Sequence, residues 1–539
     1  MKTGAGLFVI LLAAVASLVL LWLTSIPLGI PGEWTWARLD YAPAAFAWGL
    51  TLLVIGGGLY AAFAWLADRR LEDASRTETA LWLLLLVAVS FGWLTAIQSG
   101  AIPGLGLAKA PHVLFYRRTE GYFFQARYEV ESVPEFIAGY ESLMAERDYL
   151  HIGTHPPGLT HLYCELLQVC RSSPRLVACL EQTQPEVVTQ TFELLQEQNR
   201  LLDQEFTRTD AACLWLAAIL TQLMAVLTVV PMFLWMRLSS DRMATWRTIV
   251  FWPLVPAVAV FMPKSDVLYP LLAMTAAWLW RSAWFRCRER LSILGLMTAL
   301  LGSLVLWGGM VLSLAFLTVF ALIGVQMVCD VLADGPRGRT RQAWLLHQMT
   351  VAVAFLGIAL IALGGVLSTF GYYGLNLLTV WQWNFSNHAL FYDHNPRNWW
   401  KWILVNPLEL TLAVGAPIVL LAKWGSLRRL QNLRPWLASP VVPFTVVWAL
   451  LWLSGKNMGE AARLWIILMP WLTAAAVNAF EGDDDRGSGG RDQTTDRRYE
   501  RSTVLGRRGW LLVLCLQIVV AGLTTLRVDG FHFTDLLRP

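Results

Sequence analysis

A few short stretches of this 539-residue chain carry side chains whose types and spacing could do chemistry. Thr119-Glu120-Gly121-Tyr122 sets a carboxylate at the head of an aromatic run. His151-Ile-Gly-Thr-His155-Pro156-Pro157-Gly158 sets two imidazoles before a proline pair. Two prolines fix φ and remove two backbone donors, so this stretch begins a helix rather than continuing one. His155 then falls at a helix N-terminus with free amides nearby, a natural anion site. A purely structural helix start is the competing reading. Residues 261–270 (FMPKSDVLYP) put Lys264 and Asp266 in a tight turn, and residues 455–465 (GKNMGEAARLW) put Lys456, Glu460 and Arg463 at the mouth of an apolar segment. Residues 371–401 add Tyr372, Tyr373, Asn387, His388, Asp393 and His394. Taken singly, each is explained equally well by interfacial anchoring or a structural ion pair. Taken together, cations suit a phosphate and one carboxylate suits a general base.

The elements that must position these groups are apolar. The chain is 56% hydrophobic and only 15% charged, with a mean hydropathy of +0.50. A soluble chain carries about 25% charge, so the excess apolar content points to a bilayer as solvent. A net charge of +4 is too small to argue for a nucleic-acid partner. The 28 tryptophans suit many helix ends in the headgroup layer, with Trp34, Trp36, Trp399, Trp400, Trp402 and Trp510 at such boundaries. Neither a repeat nor a nucleotide-binding glycine motif is present.

A membrane span needs about 20 apolar residues. By that measure spans are predicted near 6–24, 44–66, 80–98, 210–236, 247–262, 267–284, 291–306, 309–328, 347–367, 403–422, 440–454, 462–480 and 509–526. This makes an all-α bundle of about thirteen spans by that ruler. The first reads as an uncleaved anchor, since no small-residue cleavage site follows it. Alternate short loops concentrate arginine: Arg69, Arg70 and Arg76; Arg237, Arg242 and Arg247; Arg281, Arg286, Arg288 and Arg290; Arg337, Arg339 and Arg341; Lys423, Arg428, Arg429 and Arg434; then 486–508. The positive-inside rule makes that side cytoplasmic, with the N-terminus inside and the C-terminus outside. A plasma (inner) membrane location follows. Residues 481–508, polar and glycine-rich, read as a flexible cytoplasmic linker before a last span and tail at 509–539.

Residues 99–209 form one extracytoplasmic loop too long to be a simple connection. Its stretch 185–206 repeats Val187, Val188, Phe192, Leu194, Leu195 and Leu201 at near-helical spacing, which suggests a helix packed on the membrane surface or the bundle. The loop also holds Cys164, Cys170 and Cys179, three of seven cysteines. A Cys170–Cys179 bridge and free thiols are both open there. No cysteine–histidine spacing suggests a metal site.

In order, spacing and side, this pattern resembles the polyprenyl-phosphate-dependent glycosyltransferases of the GT-C fold, such as the protein O-mannosyltransferases and the aminoarabinose transferases of lipid A. In that family a span leads into an outer loop with an acidic pair, and a His-Pro-Pro element follows. Here span 80–98 leads to Thr119-Glu120 and then to His155-Pro156-Pro157. The resemblance implies a two-helix addition (1–79) ahead of a core at 80–480. It implies a sugar donor on a polyprenyl phosphate, a glycan, lipid or protein acceptor, membrane lipids around the site, and inversion by direct displacement. Glu120 and His155 would be the catalytic candidates, and Lys264, Asp266, Lys456, Glu460 and Arg463 would face the lipid phosphate. His151, Tyr122, Tyr372, Tyr373 and His388 would shape the substrate loop. The chain departs from the family where Thr119 replaces the first acid. Glu129, Glu131, Asp40 and Glu33 are therefore alternative bases, and a divalent metal stays an open question. A lipid-linked-sugar flippase and a noncatalytic scaffold are the rival readings.

Overall fold

The computed structural model describes residues 3–102, 105–150, 152–336, 340–430, 436–481 and 505–531. Most of the 481–508 linker, the tail beyond 531 and His151 therefore lie outside the described residues. The chain folds as a helical, membrane-embedded bundle. Among the described residues ten helices are long and apolar enough to cross a bilayer. The eleventh candidate is a broken span, Trp399–Val414 and Ala416–Arg429, whose halves meet at 104°. Two further segments expected to span have other characters. Tyr269–Cys287 carries Arg281 and Arg286, and Val441–Leu453 has only 13 residues.

Apolar composition alone does not say which helices face lipid. In Arg341–Tyr372 only 17% of the apolar window is buried, whereas in Arg242–Val260 the share is 94%. The first is a rim helix against hydrocarbon. The second is core, and it is broken into short helical turns by Pro253 and Pro256. Such irregular backbone is tolerated at membrane depth where protein surrounds it.

The corner at Gly415 shows the same rule. Gly415 has φ +95°, a conformation side chains resist, and Pro417 follows in the first turn of the next half. Gln517 from the last helix closes the gap, its Nε2 donating to Val414 O (3.0 Å) and Leu254 O (2.7 Å).

The first two helices, Thr3–Trp22 and Pro43–Arg70, pack on the last one, Arg507–Arg527. Trp22 Nε1 donates to Leu523 O (3.3 Å), and Tyr60 Oη to Val250 O (2.7 Å). At one end of the bundle a small antiparallel sheet joins β1 (Leu28–Ile30), β2 (Trp34–Arg38) and β3 (Val528–Asp529) in that order. Arg247, Arg281, Arg429 and Arg507 gather at the other end. There Asp68, fully buried, accepts from Arg247 (2.7 Å) and Arg507 (2.6 Å), tying three helices together. Arg281 pairs with Asp330 (2.8 Å), and Arg429 with Glu481.

The stretch 99–209 is folded. It carries helices Lys109–Phe115, Tyr122–Tyr128, Val133–Ala145, Gly158–Ser172, Pro174–Gln182 and Glu186–Leu201. The last turns Val188, Phe192 and Leu195 inward against Lys109–Phe115, so its apolar face packs on the loop's own structure. Val187, Leu194 and Leu201 stay exposed on the other face. The seven cysteines are free. Cys170 lies beside Cys213, on the helix Arg208–Leu227, and is not bridged to Cys179.

Candidate functional site

Glu120 reaches its position through a turn. The helix Lys109–Phe115 ends at Tyr116, and the chain reverses before Tyr122–Tyr128 begins. Gly121 makes the reversal with φ +81°, and a Cβ there would lie 2.9 Å from Arg117 O. Thr119 ties the turn down, its hydroxyl within 2.7 Å of Val113 O and 2.8 Å of Tyr116 O. The residue standing where the resemblance expects an acid is thus engaged with local backbone, and Glu120 alone faces inward.

The glutamate is 2% exposed. Its Oε1 accepts from the Ser265 amide at 2.6 Å, and its Oε2 is buried without a close hydrogen-bond partner among the described residues. Burial pushes its carboxyl above the usual range; Lys264 and the Ser265 amide oppose the rise. Ser265 opens the 3-10 turn Ser265–Val267, so the tight 263–266 turn seen in sequence delivers an amide donor, Lys264 and Asp266 to one place. Lys264 is 3% exposed. Burial and the neighbouring Arg463 push its ammonium down, against the pull of Asp266, Glu120 and Glu460.

Arg463 comes from the helix Ala461–Leu464. Its Nη2 holds Glu460 Oε2 at 2.9 Å, and its Nε stands 3.6 Å from Asp266 Oδ2. All three side chains are largely buried. Glu120, Lys264, Asp266, Glu460 and Arg463, drawn from stretches over 300 residues apart, therefore form one charged cluster. Removing one partner from such a buried set leaves an uncompensated charge at a cost of about 3–5 kcal/mol.

Aromatic hydroxyls line the cluster. Tyr122, Tyr163 and Tyr269 are buried around Glu120. Burial, then the nearby Tyr269 and Glu120, hold the Tyr122 phenol well above its ordinary range. The His155 ring meets Tyr122 edge-on at 5.7 Å, so it adjoins the site through that tyrosine. Its backbone is fixed from two sides: His155 O accepts from Tyr140 Oη (2.8 Å) and Asn384 Nδ2 (3.0 Å). The helix after the prolines runs from Gly158, with Pro157 as its cap residue.

Other candidates lie outside the cluster's ion pairs. Lys456 lies over the Phe385 ring (4.6 Å) and beside His388, whose imidazole burial and Lys456 push down while the cluster's Glu460 opposes them. Tyr372 is 85% exposed and contacts only Tyr373 among aromatic partners described. The alternative bases are elsewhere. Glu129 pairs with Arg117 (2.6 Å), Asp40 with Arg527 (2.8 Å), and Glu131 is exposed. Glu33 is a structural clamp, accepting from Asn398 N (2.8 Å), Lys401 Nζ (3.0 Å) and Trp402 Nε1 (2.8 Å).

One neighbour had no signal in the sequence. Lys109, inside the mild apolar run GLGLAKAPHVLF, is buried with its Nζ donating to Val260 O at 2.8 Å. No fixed spacing links residue 109 to 260, so only the fold brings it here. Among the described residues no group of three His, Cys, Asp or Glu side chains is placed to hold a metal ion. The cluster's carboxylates are each next to a cation, a donor set that does not fit a resident metal. No family model matches this chain, and no curated protein or solved structure is significantly similar to it.

Proposed function

We propose that the chain is a membrane glycosyltransferase of the GT-C type, moving a sugar from a polyprenyl-phosphate donor to an acceptor hydroxyl on the extracytoplasmic side. The observation that carries this reading is the buried cluster itself, in which the Glu120 carboxylate, outside the Arg463 ion pairs, stands beside an ammonium and a guanidinium. In this reading the acceptor hydroxyl approaches Glu120 Oε2, the unpartnered oxygen. Its oxygen attacks the anomeric carbon as Glu120 takes the proton. The anomeric carbon–oxygen bond to phosphate breaks on the opposite face, so configuration inverts. The electron pair leaves with the lipid phosphate, and Lys264 and Arg463 bind that retained charge. Asp266 and Glu460 orient Arg463. No metal step enters the scheme.

A carboxyl raised toward the working pH suits a general base, because it can accept a proton as readily as it later releases it. The flippase reading would draw on broken helices that present open backbone to an ion or substrate. At Gly415 the freed Val414 carbonyl is instead taken by Gln517, which makes the break a packed corner.

The test is transfer by the purified protein in lipid, with labelled polyprenyl-phosphate sugars and crude envelope acceptors. Glu120→Gln is expected to lower turnover by about 10²–10⁴-fold, the usual worth of a general base, with insertion and donor binding intact. His155→Ala is expected to weaken turnover less. Undiminished transfer by Glu120→Gln would remove that residue from the role. Saturable donor binding without transfer by the wild type would leave a carrier of lipid-linked sugar.

A further inference from the structure

Two ammonium groups share one aromatic ring beside the cluster. Lys109 Nζ stands 5.1 Å from the centroid of the Phe531 ring, and Lys264 Nζ stands 5.9 Å from it. The ring is buried and meets Phe261 edge-on at 6.3 Å. It is carried by the segment 528–531, whose strand is two residues long. β3 pairs with β2 through only Ala37↔Asp529 and Arg38↔Val528. Phe531 N donates to Asp529 Oδ1 (2.9 Å), and the Asp529 carboxylate acts on Lys109.

This segment offers the lysines a weak imitation of an anion: one carboxylate and the negative face of a ring. A cation–π contact is worth about 0.5–2 kcal/mol. Charge-assisted bonds to a phosphate are shorter and stronger, and a phosphomonoester brings up to three oxygens. Lys109 spends one of its three donors on Val260 O. Burial brings its ammonium down to about 8, with Asp529 opposing, so the cation is still charged at neutral pH. When the segment moves aside, Asp529 leaves with the ring. Its departure uncovers both ammonium groups and removes a competing negative charge in the same motion.

We propose that Lys109 is a second phosphate-binding cation of this site, facing Lys264 across the Phe531 ring, and that the segment 528–531 is an internal surrogate which a phosphomonoester head group displaces. The proposal rests on the reading that the cluster takes a phosphate, and it adds a residue and a gate to that reading. The ring excludes water from the two lysines until the anion arrives. Opening releases the two ladder pairs, the Phe261 contact and the packing of a buried ring, so the bound anion has to offset that loss.

Equilibrium binding tests this without any turnover. The protein in lipid nanodiscs is titrated with farnesyl phosphate, and separately with inorganic phosphate, to separate a lipid head group from the free anion. Lys109→Met is expected to weaken farnesyl phosphate binding by about tenfold or more, the worth of one hydrogen bond to a charged group. Phe531→Ala is expected to tighten it, an outcome that misfolding does not produce. A disulfide between A37C and D529C, which are direct cross-strand partners, is expected to hold the gate shut; binding then returns when the same protein is reduced. Inorganic phosphate competing as well as farnesyl phosphate would assign the site to the anion alone and still support the two-lysine cradle. Equal binding by wild type and Lys109→Met, or by locked and reduced protein, would overturn the proposal. So would wild type that binds neither probe. Binding that follows the expected pattern without turnover of any sugar donor would instead retire the glycosyl-transfer reading and keep this one.

Discussion

At the scale of single residues, Glu120 and Lys264 are the informative pair. Burial pushes the carboxyl up and the ammonium down, so each is driven toward its neutral form while the other opposes the shift. The proposed transfer needs Glu120 deprotonated and Lys264 protonated. Activity should therefore fall on acidification at a pH above the ordinary carboxylate range, and fall again on the alkaline side below the ordinary range for lysine. Lys264→Arg keeps a cation that does not titrate, so its alkaline limb should move to higher pH while the acid limb stays. A pH–rate profile of the two proteins checks this, and an unmoved alkaline limb would detach Lys264 from the leaving group. The residues of this pair were legible as chemistry-bearing types in the sequence. Spacing did not pair them, because 120 and 264 belong to no common motif; only the family resemblance put both at one site. Thr119 shows the opposite case: its departure from an acid is plain in the sequence, but its bonds to Val113 O and Tyr116 O explain it only in the fold.

At the scale of elements, helix starts and apolar lengths were readable because local chemistry sets them. The prolines at 156–157 do precede a helix, and the stretch near 185–206 is the helix Glu186–Leu201. What local chemistry does not set is continuity through a long apolar run. The segment expected at 403–422 turns by 104° at Gly415, and the carbonyl freed there is taken by Gln517, a hundred residues away. Burying a Val414 carbonyl without a partner costs about 1–3 kcal/mol. Gln517→Leu, close in volume, should therefore lower the thermal midpoint of the protein in detergent by several degrees and leave the site's own charged pairs in place. An unchanged midpoint would mean that the corner is held by Gly415 and Pro417 without that hydrogen bond.

At the scale of the whole molecule, the sorting of charge is the strongest trait shared by sequence and fold. Arg247, Arg281, Arg429 and Arg507 sit at one end in ion pairs, while the sheet and the Glu120 cluster sit at the other. Arginine-rich loops are retained in the cytoplasm, which would put the cluster in reach of outer-leaflet lipid. Cys179 is a built-in reporter of that orientation, since it is exposed on the helix Pro174–Gln182 within the large loop. A membrane-impermeant maleimide should modify it in intact cells, and Cys179→Ser should abolish that labelling. Cys515, also exposed, lies along the hydrocarbon-spanning helix Arg507–Arg527 and is poorly placed for a charged reagent that needs a hydrated thiolate. Labelling of Cys179 only after the membrane is opened would invert the bundle. The cluster would then face the cytoplasm, and a donor arriving from the outer leaflet could not reach Glu120.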